Sequence, residues 1–558
     1  MPARRIIVET ARAGYASCHL VVSDPVAGKY RLEISSDKSA PTLQVSVYRE
    51  WFHYVPSLRQ YFPDALIPIR SPYPSALPEP DNRVPKQTAQ AFWIDIWAPA
   101  TIAAGEYTVT ASVRSGGNTS SLPIVVKILS ALVPAQDAVS IDHNSYGTSW
   151  FAGQYPRLCE RTSPAFFQSA AFFELVHSYH RIFYEHRGIY HQLGYGHAGK
   201  VEPEFAPRLE GSGKSKHIAD WTLFDRQYGP LLDGSAFVST HRGPKPIPFV
   251  YLPINPEWPA SFEWWGEHGY EREFVNVVSA MERHFREKRW TATRFEMFFN
   301  QKKRYKGFSW DGDETRFAKD YAPFREYARL LKLAVPADSP IKFVFRADVS
   351  WTMERQWREL AGVLNFWVCS GGMFDWYPYA PQMLKGRGDV VWTYGSTPPV
   401  TEPSSHITLD VLRPWIQGID GFVRWETTSA GLDPWFQFAG GGENLVYPGD
   451  RFGIGQPIPS IRLKLERNAV QDLSLLDSLA KKANTDRLRA GATHAFNRTD
   501  PREWWSARPK LADTNPEEWS NADIEEAAPL PLQFGKLLDA AAWQRTRDYI
   551  FQAAEEAR

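Results

Sequence analysis

The stretch "FEMFFNQKKRYKGFSWDGDETRFAKDYAPFREYARLL", residues 295–331, contains one complete strand–loop–helix unit. It begins with an apolar run of the length of a buried strand and ends with apolar residues spaced as on one face of a helix. The segment between them is basic and aromatic, and it then carries the adjacent carboxylates Asp313 and Glu314. Such a unit indicates a parallel sheet, because parallel strands are joined by crossover helices.

The same pattern recurs along the chain. Eight apolar runs alternate with helical segments: AVSIDHN (138–144), GIYHQLGYG (188–196), PFVYLPIN (248–255), RFEMFFN (294–300), IKFVFRA (341–347), VLNFWVC (363–369), DVVWTYG (389–395) and GFVRWET (421–427). Eight alternations favour a (β/α)8 barrel over a doubly wound sheet, and the roughly 350 residues involved match a barrel with long insertions. In such barrels the chemistry lies at the carboxyl ends of the strands.

The first part of the chain has the pattern of antiparallel sheets. Segments such as GKYRLEIS (28–35), QAFWIDIWAP (90–99) and GEYTVTASV (105–113) alternate apolar and polar residues between Pro, Gly and Asn turns. Period-two alternation at this spacing predicts an all-β sandwich. We therefore predict a multidomain protein with an N-terminal β-sandwich (1–135), a catalytic (β/α)8 TIM-like barrel (136–485) and a C-terminal extension with a helical tail (486–558).

Composition argues against several classes of partner. The 558 residues include 63 Lys and Arg and 63 Asp and Glu, so neither nucleic acid nor an anionic membrane surface is expected as a partner. Cys18, Cys159 and Cys369 show no CxxC spacing, and no His and carboxylate spacing of a metal site is found. We therefore predict no metal and no cofactor, and the sequence leaves a homo-oligomer open.

The N-terminal residues bear on localisation. Residues 1–24 begin with the basic pair Arg4 and Arg5 but lack the apolar run of a signal peptide, and no window of the chain is apolar enough for a membrane helix. We expect a cytoplasmic protein as written, or an exported one if the recorded start is incomplete.

Hydrogen-bonding and aromatic side chains concentrate where the predicted strands end. We predict substrate contacts from His143, Asn144, Tyr146, His197, Asn300, Lys302, Arg346, Tyr394, Trp425, Glu426 and Trp435. Trp425 and Trp435 either form a platform for a sugar ring or fill the core. Glu426 is either a second catalytic carboxylate or a partner of Arg424 or of a substrate hydroxyl. The motifs GxSxG and GxxxxGK[ST] are absent, so serine hydrolase chemistry and a phosphate-binding P-loop lack their usual motifs.

A polar, aromatic cleft with carboxylates is typical of glycosidases. Cleavage of a glycosidic bond needs a proton donor at the leaving oxygen and a stabiliser of the oxocarbenium-like centre. Adjacent carboxylates such as Asp313 and Glu314 point in different directions, which suits substrate assistance. In that scheme the 2-acetamido oxygen of the sugar attacks its own anomeric carbon, while an Asp holds the acetamide N–H and a Glu protonates the leaving group. In the alternative interpretation, both residues cap a helix that begins near Phe317.

Several stretches resemble a known family. Residues 295–331, 418–435 ("GIDGFVRWETTSAGLDPW") and 442–476 ("GENLVYPGDRFGIGQPIPSIRLKLERNAVQDLSLL") are similar to the glycoside-hydrolase-like family catalogued as domain of unknown function 4091, which is related to glycoside hydrolase family 123. Residues 93–113 resemble the β-sandwich that precedes such barrels. Family 123 enzymes are retaining β-N-acetylgalactosaminidases that use the acetamide-assisted route. The resemblance implies that Asp313 orients the acetamide and that Glu314 is the acid/base, although Thr315 follows the pair where the family usually has Pro.

The sequence as a whole predicts a glycoside hydrolase that acts on a β-linked oligosaccharide or glycoconjugate. The predicted substrate is a 2-acetamido sugar, N-acetylgalactosaminide-like, cleaved with retention by substrate assistance. Two alternatives stay open: a glycosidase of other specificity that uses Glu314 with Glu426, and a carbohydrate-binding barrel without catalysis. We also predict that Phe308 and Trp310 form an apolar wall that raises the pKa of Glu314 by desolvation.

Overall fold

The protein consists of a sheet-rich N-terminal region, a nearly closed parallel barrel and C-terminal helices. The computed structural model describes residues 4–23, 28–36, 43–158, 165–198, 201–260, 268–315, 320–349, 353–371, 373–376, 379–403, 405–428, 433–435, 444–480, 485–497 and 541–556. The prediction of a multidomain protein with a sheet-rich N-terminal region followed by a TIM-like barrel is confirmed. Cys159, Phe317 and residues 498–540 of the predicted C-terminal extension lie outside the described residues.

Two sheets form the N-terminal region. Their strands are β1 (Ile6–Arg12), β2 (Gly14–Ser23), β3 (Lys29–Ser36), β4 (Gln44–Val55), β5 (Gln60–Ile69), β6 (Tyr73–Ala76), β7 (Ala89–Ala98), β8 (Gly105–Ser115) and β9 (Asn118–Leu132). One sheet has the order β1–β9–β8–β3–β6 and the other β2–β7–β4–β5. Alternate residues of both sheets, such as Ile94 and Val109, are buried in one shared core, as period-two patterning requires.

The barrel consists of eight parallel strands that follow one another around the sheet in chain order. The strands after residue 139 are β10 (Ser140–Tyr146), β11 (Gly188–Leu193), β12 (Arg208–Glu210), β13 (His217–Asp220), β14 (Phe249–Tyr251), β15 (Arg294–Phe298), β16 (Lys342–Val349), β17 (Phe366–Ser370), β18 (Val390–Ser396), β19 (Gly421–Trp425), β20 (Val446–Pro448) and β21 (Pro457–Pro459). Strands β12 and β13 pair with each other, as do β20 and β21, and the other eight form the barrel. Strand β10 pairs with β19, so the first and last barrel strands meet. Each barrel strand overlaps one of the eight predicted runs.

Helices surround the barrel and follow it in the chain. They are α1 (Phe151–Gln154), α2 (Ala170–Glu185), α3 (Thr222–Leu232), α4 (His268–Glu287), α5 (Lys303–Lys306), α6 (Tyr321–Ala334), α7 (Met353–Glu359), α8 (Met373–Trp376), α9 (Ala380–Gly386), α10 (Ser405–Ile416), α11 (Ile461–Ala480), α12 (Thr485–Asn497) and α13 (Ala542–Glu556). Helices α12 and α13 pack with α10 and α11 in one hydrophobic cluster that also includes Ala11 and Leu129 of the N-terminal region. The end of the chain therefore contributes to a core shared by both domains. The domain limits at residues 135 and 485 stay predictions.

Helix α11 joins the N-terminal region to the barrel through buried charges. On one side, the Lys464 Nζ and Arg467 Nη1 atoms lie 2.6 and 2.9 Å from the Asp95 carboxylate of β7. Arg462, near the start of the helix, lies 2.8 Å from Asp64 of β5. On the other side, Glu466 accepts a 2.8 Å hydrogen bond from the Arg424 Nε of β19. One helix therefore neutralises charges of both domains.

None of the described helices is long and apolar enough to cross a membrane.

The Asp95 ion pairs make a testable contribution to stability. Burial opposes the charged form of Asp95, but Arg467 and Lys464 hold its pKa well below the usual value. We expect Asp95→Asn to lower the free energy of unfolding by about 3–5 kcal/mol, because two buried cations lose their charged partner. Urea unfolding at neutral pH measures this. The same substitution at exposed Asp338 should change stability by less than about 0.5 kcal/mol, and equal losses in both variants would contradict the assignment.

Candidate active site

A pocket of about 200 Å³ opens at the carboxyl ends of the barrel strands. Strands β10, β14, β15, β16, β18 and β19 each contribute residues, and the loops after β11 and β15 supply the remainder. The lining residues are Asn144, Tyr146, His197, Tyr251, Phe298, Asn300, Lys302, Asp313, Glu314, Arg346, Asp348, Tyr394, Gly395, Ser396, Val423 and Trp425. Carboxylates, cations and aromatic rings therefore share one cavity at the end of the barrel where such folds carry their chemistry.

The loop after β15 folds back on its own start, and this places the carboxylate pair. The backbone N–H groups of Gly312 and Asp313 donate to the Gln301 carbonyl oxygen at 3.0 and 3.4 Å. A Cβ atom on Gly312 would lie 2.5 Å from the Gln301 Oε1 atom and 2.6 Å from the Phe299 Cβ atom, so the close approach requires glycine. Glu314 follows with a φ of 51°, in the left-handed region. The turn directs both carboxylates into the pocket.

Lys302 bridges the two carboxylates. Its Nζ atom lies 3.0 Å from the Asp313 Oδ2 atom and 3.0 Å from the Glu314 Oε2 atom. Burial disfavours the ammonium, but the charges of Asp313 and Glu314 outweigh it and raise the pKa of Lys302 above its usual value. Lys302 therefore remains a cation and holds the pair together.

Each carboxylate also has a contact of its own. The Asp313 Oδ2 atom lies 3.2 Å from the His197 Nε2 atom, and the Tyr394 hydroxyl donates to the Glu314 Oε1 atom at 2.6 Å. The Asp313 side chain is 11% exposed and that of Glu314 is 39% exposed. Asp313 is thus the more enclosed of the two, whereas Glu314 lies where a substrate can reach it.

Aromatic residues form another part of the pocket wall. The rings of Tyr146 and Trp425 meet edge to face with centroids 4.7 Å apart. Asn300 donates to the Tyr146 hydroxyl at 3.1 Å, and Tyr305 stacks on His197 with centroids 4.9 Å apart. Burial raises the pKa of Tyr146, so its hydroxyl stays protonated at neutral pH. The wall offers flat apolar faces together with neutral hydrogen-bonding groups.

A layer of charged side chains lies beneath the pocket, inside the barrel. Arg346 of β16 is buried and donates to Asp348 Oδ1 at 2.8 Å, to the Tyr251 hydroxyl at 2.6 Å and to the Glu296 carboxylate at 3.3 Å. His191 lies 3.0 Å from Asp142 and 3.6 Å from Glu296. These side chains face inward because they alternate with outward-facing residues along their strands.

Two carboxyl groups of this layer have raised pKa values. Burial raises the pKa of Glu296 to about 7, although His191 and Arg346 favour its charged form. Burial also raises the pKa of Asp348 to about 6 against the effect of Arg346, and the charges of Asp313 and Glu314 add to the increase. The layer therefore binds protons near neutral pH.

Most of the predicted site residues lie together in this pocket, and three do not line it. Those in the pocket are Asp313, Glu314, Asn144, Tyr146, His197, Asn300, Lys302, Arg346, Tyr394 and Trp425. Glu426 follows Trp425 but is not among the lining residues, and its backbone carbonyl accepts a 3.0 Å hydrogen bond from Thr397.

His143 points away from the pocket. It is fully buried, its Nε2 atom lies 2.9 Å from the Glu466 Oε1 atom of α11, and its ring packs on Phe183 of α2. The physical reason is the alternation of β10, in which Asp142 and Asn144 face the barrel interior and His143 faces the helices. His143 therefore contacts two of the surrounding helices and does not line the pocket.

Trp435 lies at the interface with the N-terminal region. Its ring packs edge to face on Trp51 of β4 with centroids 5.4 Å apart, and its indole N–H donates to the Pro448 carbonyl oxygen at 3.0 Å. It is 4% exposed, so its faces are used for packing. Of the two interpretations open at the sequence level, core filling describes Trp435.

The surroundings of Glu314 differ from the predicted apolar wall. Trp310 packs on Phe299 and Phe324, with centroid distances of 5.3 and 5.4 Å, in the cluster between the barrel strands and the surrounding helices. Glu314 instead contacts the Lys302 ammonium and the Tyr394 hydroxyl. The helix after the loop, α6, begins at Tyr321, so the pair does not occupy its capping position at Asp320.

Six lining residues were not among the predicted site residues, namely Tyr251, Phe298, Asp348, Gly395, Ser396 and Val423. Asp348 lies two positions after Arg346 on the same strand, so period two predicts that both side chains share one face.

Comparison with solved structures shows a similar fold. The chain aligns over 100% of its length with 95% of a family 123 glycoside hydrolase from Clostridium perfringens, described in connection with glycolipid glycan hydrolysis, at 13% identity and a TM-score of 0.66. A β-glucuronidase from Parabacteroides merdae aligns over 80% of this chain and 51% of its own at 8% identity with a TM-score of 0.29. A termite-gut xylanase of family GH10 with a bacterial Ig-like domain aligns over 70% of this chain and 91% of its own at 8% identity with a TM-score of 0.32. Of these three, only the first has a TM-score above 0.5.

No family model and no curated protein matches the sequence. The resemblance to domain of unknown function 4091 therefore stays a prediction.

The buried acid Glu296 predicts a pH dependence of stability. Its pKa is higher in the folded protein than in the unfolded chain, so its contribution is fully present below the usual pKa of 4.5 and is lost as the pH rises through about 7. We expect this contribution to decrease by on the order of 3 kcal/mol over that range, and Glu296→Gln to remove it. Unfolding free energies between pH 4 and 8 measure the slope. Exposed Glu287→Gln is the control, and an unchanged slope in Glu296→Gln would contradict the assignment.

Proposed function

We propose that the protein is a glycoside hydrolase whose catalytic groups are Asp313 and Glu314. The observation that carries the proposal is the adjacent carboxylate pair, which lies in one pocket at the carboxyl ends of the barrel strands with different contacts for each member. The whole-chain similarity to a family 123 glycoside hydrolase concerns the fold, and it supports a barrel able to hold a sugar. The chemistry is argued from the site itself.

The proposed substrate is a β-linked sugar with a 2-acetamido group. Asp313 is held on one oxygen by Lys302 and His197, which leaves lone pairs that can accept the acetamide N–H. In the first step the acetamide oxygen attacks the anomeric carbon, the bond from that carbon to the glycosidic oxygen breaks, and Glu314 gives its proton to the leaving oxygen. The charge that develops on the oxazolinium ring is stabilised by the Asp313 carboxylate.

The second step reverses the role of Glu314. Its carboxylate takes a proton from a water molecule, whose oxygen attacks the anomeric carbon; the bond from that carbon to the ring oxygen of the oxazolinium breaks, and the acetamido sugar is restored with its N–H retained. Two displacements at one carbon give net retention. The Tyr394 hydroxyl, 2.6 Å from the Glu314 Oε1 atom, orients this carboxyl group through both steps.

The walls of the pocket fit a sugar ring. The Trp425 ring, braced edge to face by Tyr146, presents an apolar surface for the C–H face of a sugar. Asn144, Asn300 and Ser396 offer donors and acceptors for hydroxyl groups. Glu426 lies outside the lining residues, so the observed geometry favours the Asp313 and Glu314 pair over the alternative pair of Glu314 and Glu426.

The role of Glu314 is tested with two leaving groups. A panel of 4-nitrophenyl glycosides identifies the sugar, and we expect turnover of the N-acetyl-β-galactosaminide. Glu314→Gln should reduce the hydrolysis of a natural glycan by roughly 10²–10⁴-fold but affect the aryl glycoside least, because a good leaving group needs little protonation. Turnover of non-acetamido sugars alone would refute the acetamide route. Glycan binding without turnover in both forms would identify a binding protein.

The role of Asp313 is tested by a substitution that affects every substrate. Asp313→Ala should lower the rate of aryl and natural substrates alike by about two to three powers of ten, because it removes a stabiliser of the oxazolinium. Asp311→Asn, in the same loop, keeps the acceptor for the Lys303 N–H and should remain near wild type. Proton NMR of the first-formed anomer reports the stereochemistry, and an inverted product would contradict substrate assistance.

A further inference from the structure

The barrel interior holds more acidic than basic groups. Among the described residues in and beneath the pocket, five carboxyl groups (Asp142, Glu296, Asp313, Glu314 and Asp348) lie around two permanent cations (Lys302 and Arg346). The five carboxyl groups outnumber the two permanent cations by three. Like charges in a buried site disfavour joint ionisation, so the simultaneous ionisation of all five carboxyl groups is unfavourable.

We propose that Asp348 is a positioning residue of the acid–base machinery, because its negative charge raises the proton affinity of Glu314. This inference rests on the proposed function, in which Glu314 must carry a proton to act as the acid. Asp348 lines the same pocket as Glu314, and Arg346 fixes its carboxylate through contacts of 2.8 and 3.3 Å. Its side chain is 15% exposed, so its charge is poorly screened by solvent.

Titratable and charged groups on several elements interact with Asp348, share its partner Arg346 or line its pocket. Those that interact with it are Arg346 on its own strand, Asp313 and Glu314 of the loop after β15, Tyr251 of β14 and Cys369 of β17. Glu296 of β15 shares Arg346, and Lys302, Tyr394 of β18, Tyr146 of β10 and His197 of the loop after β11 line the same pocket. Burial, assisted by Asp348, raises the pKa of Cys369, and burial also keeps Tyr251 protonated, so neither brings a charge at neutral pH. The acidic neighbours therefore interact mainly with one another and with the two cations.

The coupling between the carboxyl groups is reciprocal. The charges of Asp313 and Glu314 raise the pKa of Asp348, and the interaction energy of two charges is the same seen from either one. Ionised Asp348 must therefore favour the protonated form of Glu314. This effect opposes that of Lys302, whose ammonium favours the charged form of Glu314. Asp348 thus favours the protonated form of Glu314 by its charge, whereas Phe308 and Trp310 were predicted to do so by desolvation.

The test is the pH profile of kcat/KM on 4-nitrophenyl N-acetyl-β-galactosaminide. Asp348→Asn should move the alkaline limb to lower pH by about one unit, because Glu314 loses its proton more readily. Asp348→Glu keeps the negative charge and should leave the alkaline limb at its wild-type pH. Asp389→Asn is the matched control, since Asp389 precedes β18 at the opposite end of the barrel and accepts from the Trp367 indole. A folded Asp348→Asn enzyme with an unmoved limb would overturn the proposal.

A second measurement needs no turnover, so failure of the proposed function and failure of this inference are distinguishable. The carboxyl carbon of Glu314 is assigned by carbon-13 NMR from the signal lost in Glu314→Gln, and its titration midpoint should fall in Asp348→Asn. An unchanged midpoint refutes the inference even if the enzyme is active. Arg346 keeps Glu296 and Tyr251 as partners in the variant. Asp348→Ala is a second neutral variant, used where the Asn variant does not fold.

Discussion

The buried charges of helix α11 hold the two domains in one arrangement. Lys464 and Arg467 neutralise Asp95 of the N-terminal sheet, and Glu466 on the same helix pairs with Arg424 of the barrel. Buried ions require specific partners, because the cost of removing them from water is recovered only by good geometry. A helix that carries such ions on two faces therefore fixes the orientation of both neighbours. In the barrel this contact is made to β19, the strand that carries Trp425 to the pocket.

Inside the barrel, charge is arranged around a single arginine. Arg346 donates to Asp348, Tyr251 and Glu296, and it lies above an apolar floor that includes Phe249 and Trp392. The dry floor prevents water from screening these groups, so their mutual interactions are strong. The raised pKa values of Glu296 and Asp348 follow from this enclosure. A barrel with an apolar interior throughout would offer no such reservoir of protons beneath its pocket.

The catalytic pair depends on a loop that is tightly tied at its base. Gly312 packs against the Gln301 and Phe299 side chains, and the loop after β11 joins it where the Lys302 N–H donates to the His197 carbonyl oxygen at 3.3 Å. Because Lys302 contacts both carboxylates, a change in one alters the electrostatic environment of the other. The loop therefore works as one unit. Its backbone contacts direct the two carboxylates into the pocket, and Lys302 partly neutralises their charge.

Local patterns in the sequence were sufficient to predict the barrel strands and most of the residues that line the pocket. The eight apolar runs mark the eight barrel strands, since strand length and alternation are local properties. Residues at the ends of those strands, such as Asn144 and Tyr394, line one pocket because parallel strands bring their carboxyl ends together. The pair in the loop after β15 was recognisable for the same reason.

Tertiary structure decided which side of a strand faces the pocket and which charges meet there. His143 was placed in the pocket from its position at a strand end, but the register of β10 turns it toward Glu466, more than three hundred residues later in the chain. Trp435 packs on Trp51 of the other domain, and the contacts of Glu314 with Lys302 and Tyr394 come from separate segments. The sequence by itself determined the order and type of the elements, because these follow from residue periodicity. Only the folded chain determined the charge environment of the site, because that environment depends on distances between residues that are remote in sequence.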